Sequence, residues 1–292
     1  MTTCWVIYNG SLTSDKFSDQ AELIAEAAVR AGVQTKIYKN NEIIMDLKGV
    51  IGDPPSFVVF LDKDILLANY LKEAGIPVFN DPAVIETCDN KAKQYLKLAN
   101  AGLPMPRTII APKVYPNFTI RESGYYEEVL EEIGLPMIIK EGHGSFGMKV
   151  YLIETVDAFY EKTDELRGTD YVFQEFIASS RGRDIRVNIV GEDIVAAMYR
   201  HSDSDFRANI TNGGKASVVD LTPEQKEIAL AAAKAVNAEF AGVDLLFGDN
   251  EEPLVCEVNA AAHIRNIYNV TGINVANSMI AYILKKLELQ PV

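Results

Sequence analysis

The chain has 292 residues, of which 48% are hydrophobic and 24% charged, and its net charge is −13. This composition is typical of a globular protein with enough length for two or three domains. The acidic balance disfavours nucleic acid and anionic membranes as partners, because both are polyanionic. No apolar run approaches the ~20 residues that span a bilayer, which also argues against a membrane protein.

The three cysteines are far apart in the sequence and form no CxxC pair. This pattern predicts a reduced protein without a disulfide framework or a zinc ribbon. The first ten residues have neither a basic start nor a long apolar run, so no signal peptide is expected. A cytoplasmic location is the expectation that follows.

Strand and helix patterns alternate over the first 84 residues. Strands are predicted at 5–8, 33–38, 57–61 and 76–79, with helices at 18–31 and 65–74. Such alternation predicts a Rossmann-like parallel α/β domain at 1–84. The pattern is then broken at Asn80-Asp81-Pro82.

The rest of the chain mixes short strands with helices, so an α/β (α+β) fold is predicted. A helix at 90–101 ends before Gly102, and a capping box at Thr222 begins an alanine-rich helix that ends near residue 237. A last helix is predicted at 275–287. Strands are predicted at 135–141, 149–153, 172–177, 185–190 and 194–199.

A glycine-rich loop at 142–147 fits the pattern GxGxxG. A dinucleotide site needs a helix after this loop, whereas residues 149–153 alternate like a strand. The sequence therefore predicts a flap between two strands rather than the turn of a nicotinamide-dependent enzyme. Backbone N–H groups of such a flap can approach phosphates, and Lys140 is placed to reach one. A flexible hairpin with an exposed lysine is the alternative.

Three polar side chains interrupt a second predicted hairpin, formed by 240–247 and 254–259. If Phe247 opposes Leu254, then Asp244 faces Glu257, and Asn259 lies on the same face as Glu257. Two facing carboxylates repel unless a cation lies between them, and Mg²⁺ prefers such oxygen ligands. The pattern predicts a magnesium–nucleotide site, with a polar edge strand as the alternative.

These motifs, taken in order, resemble those of the ATP-grasp ligases and specifically the RimK-type amino-acid ligases. The resemblance covers about 85–287 and depends on the order of the motifs, since each alone is unspecific. The residues that carry it are Lys91, Lys140, the glycine flap, Gln174–Ile177, Asp184–Arg186, Phe206–Asn209, Gly213-Gly214, Gly242–Asp244 and Glu257–Asn259.

The resemblance implies an ATP-grasp fold behind the N-terminal α/β domain, with a flap-bearing subdomain at 85–180 and a metal-binding one at 181–292. It implies that Arg207 and Asn209 stabilise the transferred phosphoryl group. Asp244, Glu257 and Asn259 would hold two Mg²⁺ ions, with Mn²⁺ as an alternative metal. The implied ATP-binding residues are Lys91, Lys140, Gly142, Gly144, Ser145, Gly147, Gln174, Glu175, Phe176, Ile177 and Asp184.

The resemblance has a departure after Asn259. RimK proteins proper continue with Ser-Pro-Gly-Leu, whereas this chain continues with Ala260–Asn266, which is more similar to the LysX-type branch that acts on a carrier protein. Arg186 and Arg265 are the candidates for binding a substrate carboxylate, because the arginine fork matches its geometry. A surface position is the alternative for Arg265. The roles of His143, His201 and His263 are open.

The implied activity is an ATP- and Mg²⁺-dependent carboxylate–amine ligase that forms an amide through an acyl phosphate. The amine donor would be an amino acid, glutamate first. The acceptor would be a peptide, a protein C-terminus or a small carboxylate. The alternatives are a lysine ligase acting on a carrier protein and an ATP-binding regulatory protein without turnover. No nucleic acid or membrane partner is expected, and a homo-oligomer is left open.

Overall fold

The computed structural model describes residues 1–49, 51–116, 118, 120, 124–144 and 147–290. In this part of the chain the strands form three sheets that follow one another along the sequence. The sheets lie within 1–84, 85–180 and 181–292 respectively. That these three segments are separate domains stays a prediction.

The N-terminal sheet has the strand order β2-β1-β3-β4, and all of its pairs are parallel. Helices alternate with the strands, which confirms the predicted parallel α/β arrangement. The elements are β1 (Thr3–Tyr8), α1 (Lys16–Arg30), β2 (Gln34–Lys39), β3 (Phe57–Phe60), α2 (Ile65–Glu73) and β4 (Val78–Phe79).

Two capped helices connect the first sheet to the second, namely α3 (Pro82–Asp89) and α4 (Lys91–Asn100). The Asp81 side chain accepts a hydrogen bond from the Ala83 N–H, and proline suits the first helical position. The stretch that looked like a break in the sequence is therefore the start of α3. This helix crosses the predicted boundary at 84/85.

The central sheet is antiparallel, with the order β5-β8-β6-β7. Strands β6 and β7 form a hairpin around the glycine loop, which confirms the strand–flap–strand prediction and excludes the dinucleotide turn. This unit has its own core, in which Phe159 stacks on Phe173. The elements are β5 (Thr108–Ile110), α5 (Tyr125–Ile133), β6 (Met137–Glu141), β7 (Val150–Ile153), α6 (Val156–Glu165) and β8 (Tyr171–Glu175).

The C-terminal sheet is also antiparallel, with the order β11-β10-β9-β12-β13. The predicted capping box at Thr222 is present, whereas the short helix α8 was not predicted. The elements are β9 (Arg183–Val190), β10 (Asp193–His201), β11 (Lys215–Val218), α7 (Pro223–Ala235), β12 (Phe240–Phe247), β13 (Pro253–Asn259), α8 (Arg265–Thr271) and α9 (Val275–Lys286).

Strand β9 presents a different chemistry on each face of this sheet. Ile185, Val187 and Ile189 pack with alanines of α7, and burying each such side chain stabilises the fold by about 1.5–3 kcal/mol. The residues between them alternate to the other face, where Asp184 and Arg186 are also buried. The second face is therefore a buried polar surface, and it carries the site.

The N-terminal and C-terminal units share one hydrophobic core, in which Ile24 of α1 packs with Ile280 and Ile283 of α9. Asn80 adds a polar connection across the same boundary. Its amide nitrogen donates to the carbonyls of Phe240 and Ala260, and its amide oxygen accepts from two backbone N–H groups at the start of β12. The first and third sheets therefore form one frame, beside which the central unit packs.

In the described part of the chain, no helix combines the length and the apolar character needed to cross a membrane.

Candidate active site

A β-bulge in strand β13 brings two carboxylates to one wall of a pocket. Asp244 pairs with Glu257 while Leu245 pairs with Val255, so Cys256 is the extra residue. The predicted pairing of Asp244 with Glu257 is confirmed, but the register assumed at the turn was wrong, because Phe247 faces Pro253. A bulge directs neighbouring side chains toward the same side, and both Cys256 and Glu257 line the pocket.

Asp244 belongs to a buried network of two carboxylates and two guanidinium groups. Arg200 binds Asp184 through two hydrogen bonds of 2.7 Å, and its Nη2 lies 3.0 Å from Asp244 Oδ2. Arg186 binds Asp244 through Nε and Nη2. Burial acts to raise the pKa of Asp244, but Arg186 and Arg200 outweigh it, and the pKa lies below its ordinary value. The network has no net formal charge, which makes its burial tolerable.

Two buried lysines line the same pocket. Lys91 Nζ lies 3.4 Å from the carbonyl oxygen of Gly144 in the flap. Lys140 Nζ donates to the Tyr95 hydroxyl at 2.8 Å and lies 3.7 Å from Cys256 Sγ. Burial lowers the pKa of Lys91, with Glu257 opposing the shift. Two ammonium groups at one end of a pocket suit the charge of a polyphosphate.

The described residues of the flap border this end of the pocket, where Arg207 binds Gly147 and the Asn209 side chain lies beside it. Arg207 Nη1 donates to the Gly147 carbonyl at 2.5 Å, and its Nε and Nη2 bind Asp205. Gly147 has φ +71°, and a Cβ there would lie 2.6 Å from Asn209 Oδ1, so only glycine fits. Gly144 and Gly147 both line the pocket, whereas Ser145 lies outside the described residues.

The far end of the pocket is formed by the end of β8 and the residues after it. Gln174, Glu175, Phe176 and Ile177 all line it, together with Asp184. Gln174 is buried and donates to Thr108 Oγ1, while Glu175 accepts from the Arg107 N–H. The structure thus brings together at one pocket most of the residues expected to bind ATP. Gly142 lies at the end of β6, where its carbonyl accepts from the Lys91 N–H.

Of the three metal ligands expected from the sequence, Glu257 and Asn259 are close to each other. Asn259 Nδ2 donates to Glu257 Oε1 at 3.1 Å and to the Gly242 carbonyl at 3.3 Å, which leaves the Asn259 amide oxygen as an acceptor. One carboxylate and one amide oxygen suit Mg²⁺, which takes few protein ligands and fills its shell with phosphate oxygens and water. The donor set of Glu257 and Asn259 therefore fits the ion.

Asp244 differs from these two residues, because both of its oxygens accept from arginines. A metal contact from Asp244 requires the exchange of one of those bonds, so its role as a ligand stays a prediction. Within the residues that the structure describes, no group of three or more His, Cys, Asp or Glu side chains is placed to hold a metal.

A second opening, here called the cleft, lies on the other side of Glu257, between the N-terminal and C-terminal units. Arg186 and Arg265 both line it. Arg265 binds Asp19 of α1 at 2.8 Å, and Lys63 binds Asp89. From the sequence, Arg265 was expected either to bind a substrate or to lie at the surface. In the structure it is paired with Asp19 of the N-terminal unit.

The three histidines occupy different surroundings. His263 lines the cleft with its ring edge-on to Phe17, and burial lowers its pKa to about 4, with Lys16 and Arg186 adding to the effect. His143 of the flap hydrogen bonds to Asp89 at 2.9 Å. His201 stacks on Tyr199, outside the residues that line either opening.

Three residues line both the pocket and the cleft, namely Arg200, Asn209 and Glu257. They form the junction of the two openings. Sequence reasoning missed Arg200, although an arginine inside the largely apolar strand β10 was a signal for a buried ion pair. It also missed Tyr95, for which the sequence alone held no signal.

A flap on an antiparallel sheet, two buried lysines beneath it and a facing sheet with an acidic edge strand define an ATP-grasp ligase. The structure of the ATP-grasp ligase PsnB complexed with minimal precursor, Mg and ADP shares this fold. It matches with a TM-score of 0.70 and 16% identity, over 98% of each chain.

The sequence comparisons identify the family. The model of the RimK-like ATP-grasp domain matches residues 88–283, so the chain belongs to that family. It is 35% identical to a probable alpha-L-glutamate ligase of Legionella pneumophila over 226 residues, which are 74% of this chain and 70% of the relative. It is 36% identical to the ribosomal protein bS6–L-glutamate ligase of Escherichia coli over 208 residues, 70% of this chain and 66% of the relative. The protein is thus an ATP-dependent carboxylate–amine ligase.

Proposed function

We propose that the protein joins an amino acid, glutamate first, to the carboxylate of a peptide, a protein C-terminus or a small molecule, through an acyl phosphate. The observation that carries this proposal is the junction of pocket and cleft at Arg200, Asn209 and Glu257. A carboxylate in the cleft can reach a γ-phosphate in the pocket only where the two openings meet.

The proposed reaction has two steps. A carboxylate oxygen of the acceptor attacks the γ-phosphorus, and the bond to the β-phosphate oxygen breaks to release ADP. The amine nitrogen of the amino acid then attacks the acyl carbon, the bond from that carbon to the phosphate oxygen breaks, and the departing phosphate takes up the proton that the nitrogen gives up. The first step needs neutralisation of charge more than acid–base catalysis, which accords with two lysines and few free bases in the pocket.

Each group of residues has a role in this proposal. Lys91 and Lys140 bind phosphate oxygens, and Arg207 and Asn209 stabilise the transferred phosphoryl group. The end of β8, from Gln174 to Ile177, binds the adenosine. The flap excludes water, because an acyl phosphate hydrolyses when water reaches it. The contacts of Arg207 and Asn209 with the flap support these roles.

We also assign to the site a magnesium ion held by Glu257 and Asn259, with Asp244 as a third ligand after exchange of an arginine contact. When bound, Mg²⁺ neutralises phosphate charge and orients the γ-phosphate. The PsnB complex, which contains Mg and ADP, supports the choice of metal. A second ion, and Mn²⁺ in place of Mg²⁺, belong to the same proposal.

The glutamate and peptide assignments rest on the relatives, whose names specify glutamate ligation and in one case a ribosomal protein. A lysine ligase that acts on a carrier protein is the second candidate. It is favoured by the sequence after Asn259, where Ala260–Ala262 and His263 line the cleft in place of Ser-Pro-Gly-Leu. A cytoplasmic location is part of the same proposal.

Mass spectrometry of reaction products tests the proposal. The protein is incubated with Mg-ATP, a cell extract and isotope-labelled glutamate, aspartate or lysine in separate reactions. We expect an ATP-dependent mass increment of one or more glutamate residues, whereas a lysine increment would favour the second candidate. ADP without a labelled product would point to another amine.

Two variants complete this experiment. Glu257→Ala should lower ATP turnover by about 10²–10³, because a group that stabilises charge in the transition state is lost. Glu192→Ala, in the exposed β9–β10 turn, is the matched control and should retain full turnover. Unchanged turnover in Glu257→Ala would overturn the metal assignment. The absence of any ADP or product from the unaltered protein would favour an ATP-binding regulatory protein instead.

A further inference from the structure

Lys140 is held in the pocket by a residue that no sequence motif marks. Tyr95 of α4 is fully buried, and its hydroxyl makes two hydrogen bonds of 2.8 Å. It accepts one from Lys140 Nζ and donates the other to the carbonyl oxygen of Cys256. The hydroxyl therefore connects the lysine on β6 to the bulge on β13.

The surroundings of the Lys140 ammonium group leave it few other partners. Its Nζ lies 3.7 Å from Cys256 Sγ and 5.5 Å from the centre of the Tyr95 ring. A lysine side chain has about four rotatable bonds and loses considerable conformational freedom when it is fixed. Without the tyrosine hydroxyl, the remaining hydrogen-bond acceptor beside the ammonium group in the described structure is a weakly accepting sulfur, and Glu257 acts on the lysine through its charge.

We propose that Tyr95 is a positioning residue for nucleotide binding, which fixes the ammonium group of Lys140 toward the phosphates while it fastens α4 to the bulge of β13. The inference rests on the proposed role of Lys140 as a phosphate ligand. It assigns a role in binding to a residue that does not line the pocket and acts through Lys140, which does.

A purely structural role is the competing explanation, because α4 also covers β13 through another side chain. Gln94 forms two hydrogen bonds of 2.7 and 2.8 Å with the backbone of Val258. If Tyr95 acted only as a second such support, its hydroxyl would affect folding but would not distinguish ligands with phosphates from those without.

Equilibrium binding separates the two explanations. Calorimetry with Mg²⁺ and a non-hydrolysable ATP analogue is compared with calorimetry with adenosine, for the full chain and for Tyr95→Phe. The phenylalanine keeps the ring and removes the hydroxyl. We expect affinity for the ATP analogue to fall about tenfold, since a hydrogen bond to a charged group is lost, while affinity for adenosine is unchanged. An equal loss for both ligands would show a structural role and overturn the inference.

A double-mutant cycle tests whether the effect passes through Lys140. In a Lys140→Met background, Tyr95→Phe should cause no further loss of affinity for the ATP analogue. A loss that persists in that background would contradict the inference. If Lys140→Met alone left affinity unchanged, the role of Lys140 itself would fail. If Lys140→Met weakened binding and Tyr95→Phe did not, only the inference about Tyr95 would fail.

Two further variants serve as controls. Tyr126→Phe removes a hydroxyl that contacts Tyr171 in the core of the central unit, and it should leave both affinities unchanged. Cys256→Ala should weaken binding of the ATP analogue by threefold at most, because a 3.7 Å contact to sulfur is weak. A larger loss in Cys256→Ala than in Tyr95→Phe would assign the positioning role to the sulfur instead.

Discussion

The pocket and the cleft share a wall but differ in how their lysines and arginines are paired. Lys91 and Lys140 of the pocket form no salt bridge within 4 Å among the described residues. In the cleft, by contrast, Lys63 is paired with Asp89, and Arg265 with Asp19. Two ammonium groups thus face the pocket without a carboxylate partner, while these two cations of the cleft each have one.

This difference has a consequence for recognition under the proposed function. A phosphate chain at Lys91 and Lys140 would meet cations that need no exchange of ion pairs, so its affinity would come from preorganised electrostatics. A substrate carboxylate in the cleft would instead compete with a protein carboxylate for each arginine. Selection in the cleft would then depend on the exchange of hydrogen bonds and on shape, which favours specificity over affinity.

Arg200, which lines both openings, gives the largest expected effect. Arg200→Met leaves Asp184 and Asp244 buried with one guanidinium group between them, and this should lower the free energy of unfolding by about 3–5 kcal/mol. Chemical denaturation measures the change. The control is Lys215→Met, whose partner Asp203 is exposed, and it should lower the free energy of unfolding far less, because water screens an exposed ion pair. Similar losses of unfolding free energy for both variants would show that the buried network of Arg200 contributes no more to stability than an exposed ion pair.

His263, which lines the cleft, should make the stability of the protein depend on pH. His263 has a pKa of about 4 in the folded protein, against about 6.5 in an unfolded chain, mainly because it is buried, with Lys16 and Arg186 adding to the effect and Asp19 opposing it. As the pH falls, His263 of the unfolded chain therefore takes up a proton before His263 of the folded protein does. The contribution of neutral His263 to the free energy of unfolding is complete above pH 6.5 and is lost progressively toward pH 4, by up to ~3 kcal/mol.

Denaturation of the unaltered protein and of His263→Gln between pH 7 and pH 4 measures this effect. The difference in unfolding free energy between the two proteins should change over this range, in the direction that favours His263→Gln at low pH. A constant difference would show that the imidazole is protonated freely and that the cleft is more open to water than its neighbours indicate.

Arg265→Ala gives the smallest expected effect and tests the cleft against the pocket directly. Loss of the paired arginine should raise the KM of the amine or acceptor substrate about tenfold and leave the KM of ATP unchanged. Steady-state kinetics measure both constants. An increase in the KM of ATP would contradict the separation of the two openings. Asp19→Asn, which removes the competing charge, is the companion variant and should not raise the KM for a substrate carboxylate.

The pocket was more predictable from the sequence than the cleft, because more of its features come from residues that are close together in the chain. Lys140, the flap and the β12–β13 hairpin belong to local patterns, whose places in the fold follow from strand alternation and from the residues next to them. The pair Arg265–Asp19 joins positions 246 residues apart, and no local pattern encodes such a contact. Helix α3 was missed for a different reason, because a proline that starts a helix resembles one that ends a segment.

In the β12–β13 hairpin, a correct pair of residues was predicted from an incorrect register at the turn. The sequence argument counted back from Phe247 and Leu254 and placed Asp244 opposite Glu257. The structure shifts the turn by one residue, and the bulge at Cys256 restores the pairing. The regular alternation of apolar and polar side chains gives no sign of such an extra residue. The bulge could therefore not be predicted from the sequence.

The bulge also shows which contacts depend on one extra residue in β13. Without Cys256 the strand would form a regular ladder in which Glu257 still pairs with Asp244, because Leu245 already pairs with Val255. A deletion would instead remove the carbonyl oxygen that accepts from the Tyr95 hydroxyl and the sulfur beside Lys140 Nζ. For the evolution of the pocket, a single-residue deletion here would therefore keep the facing carboxylates and take away the anchor of Tyr95.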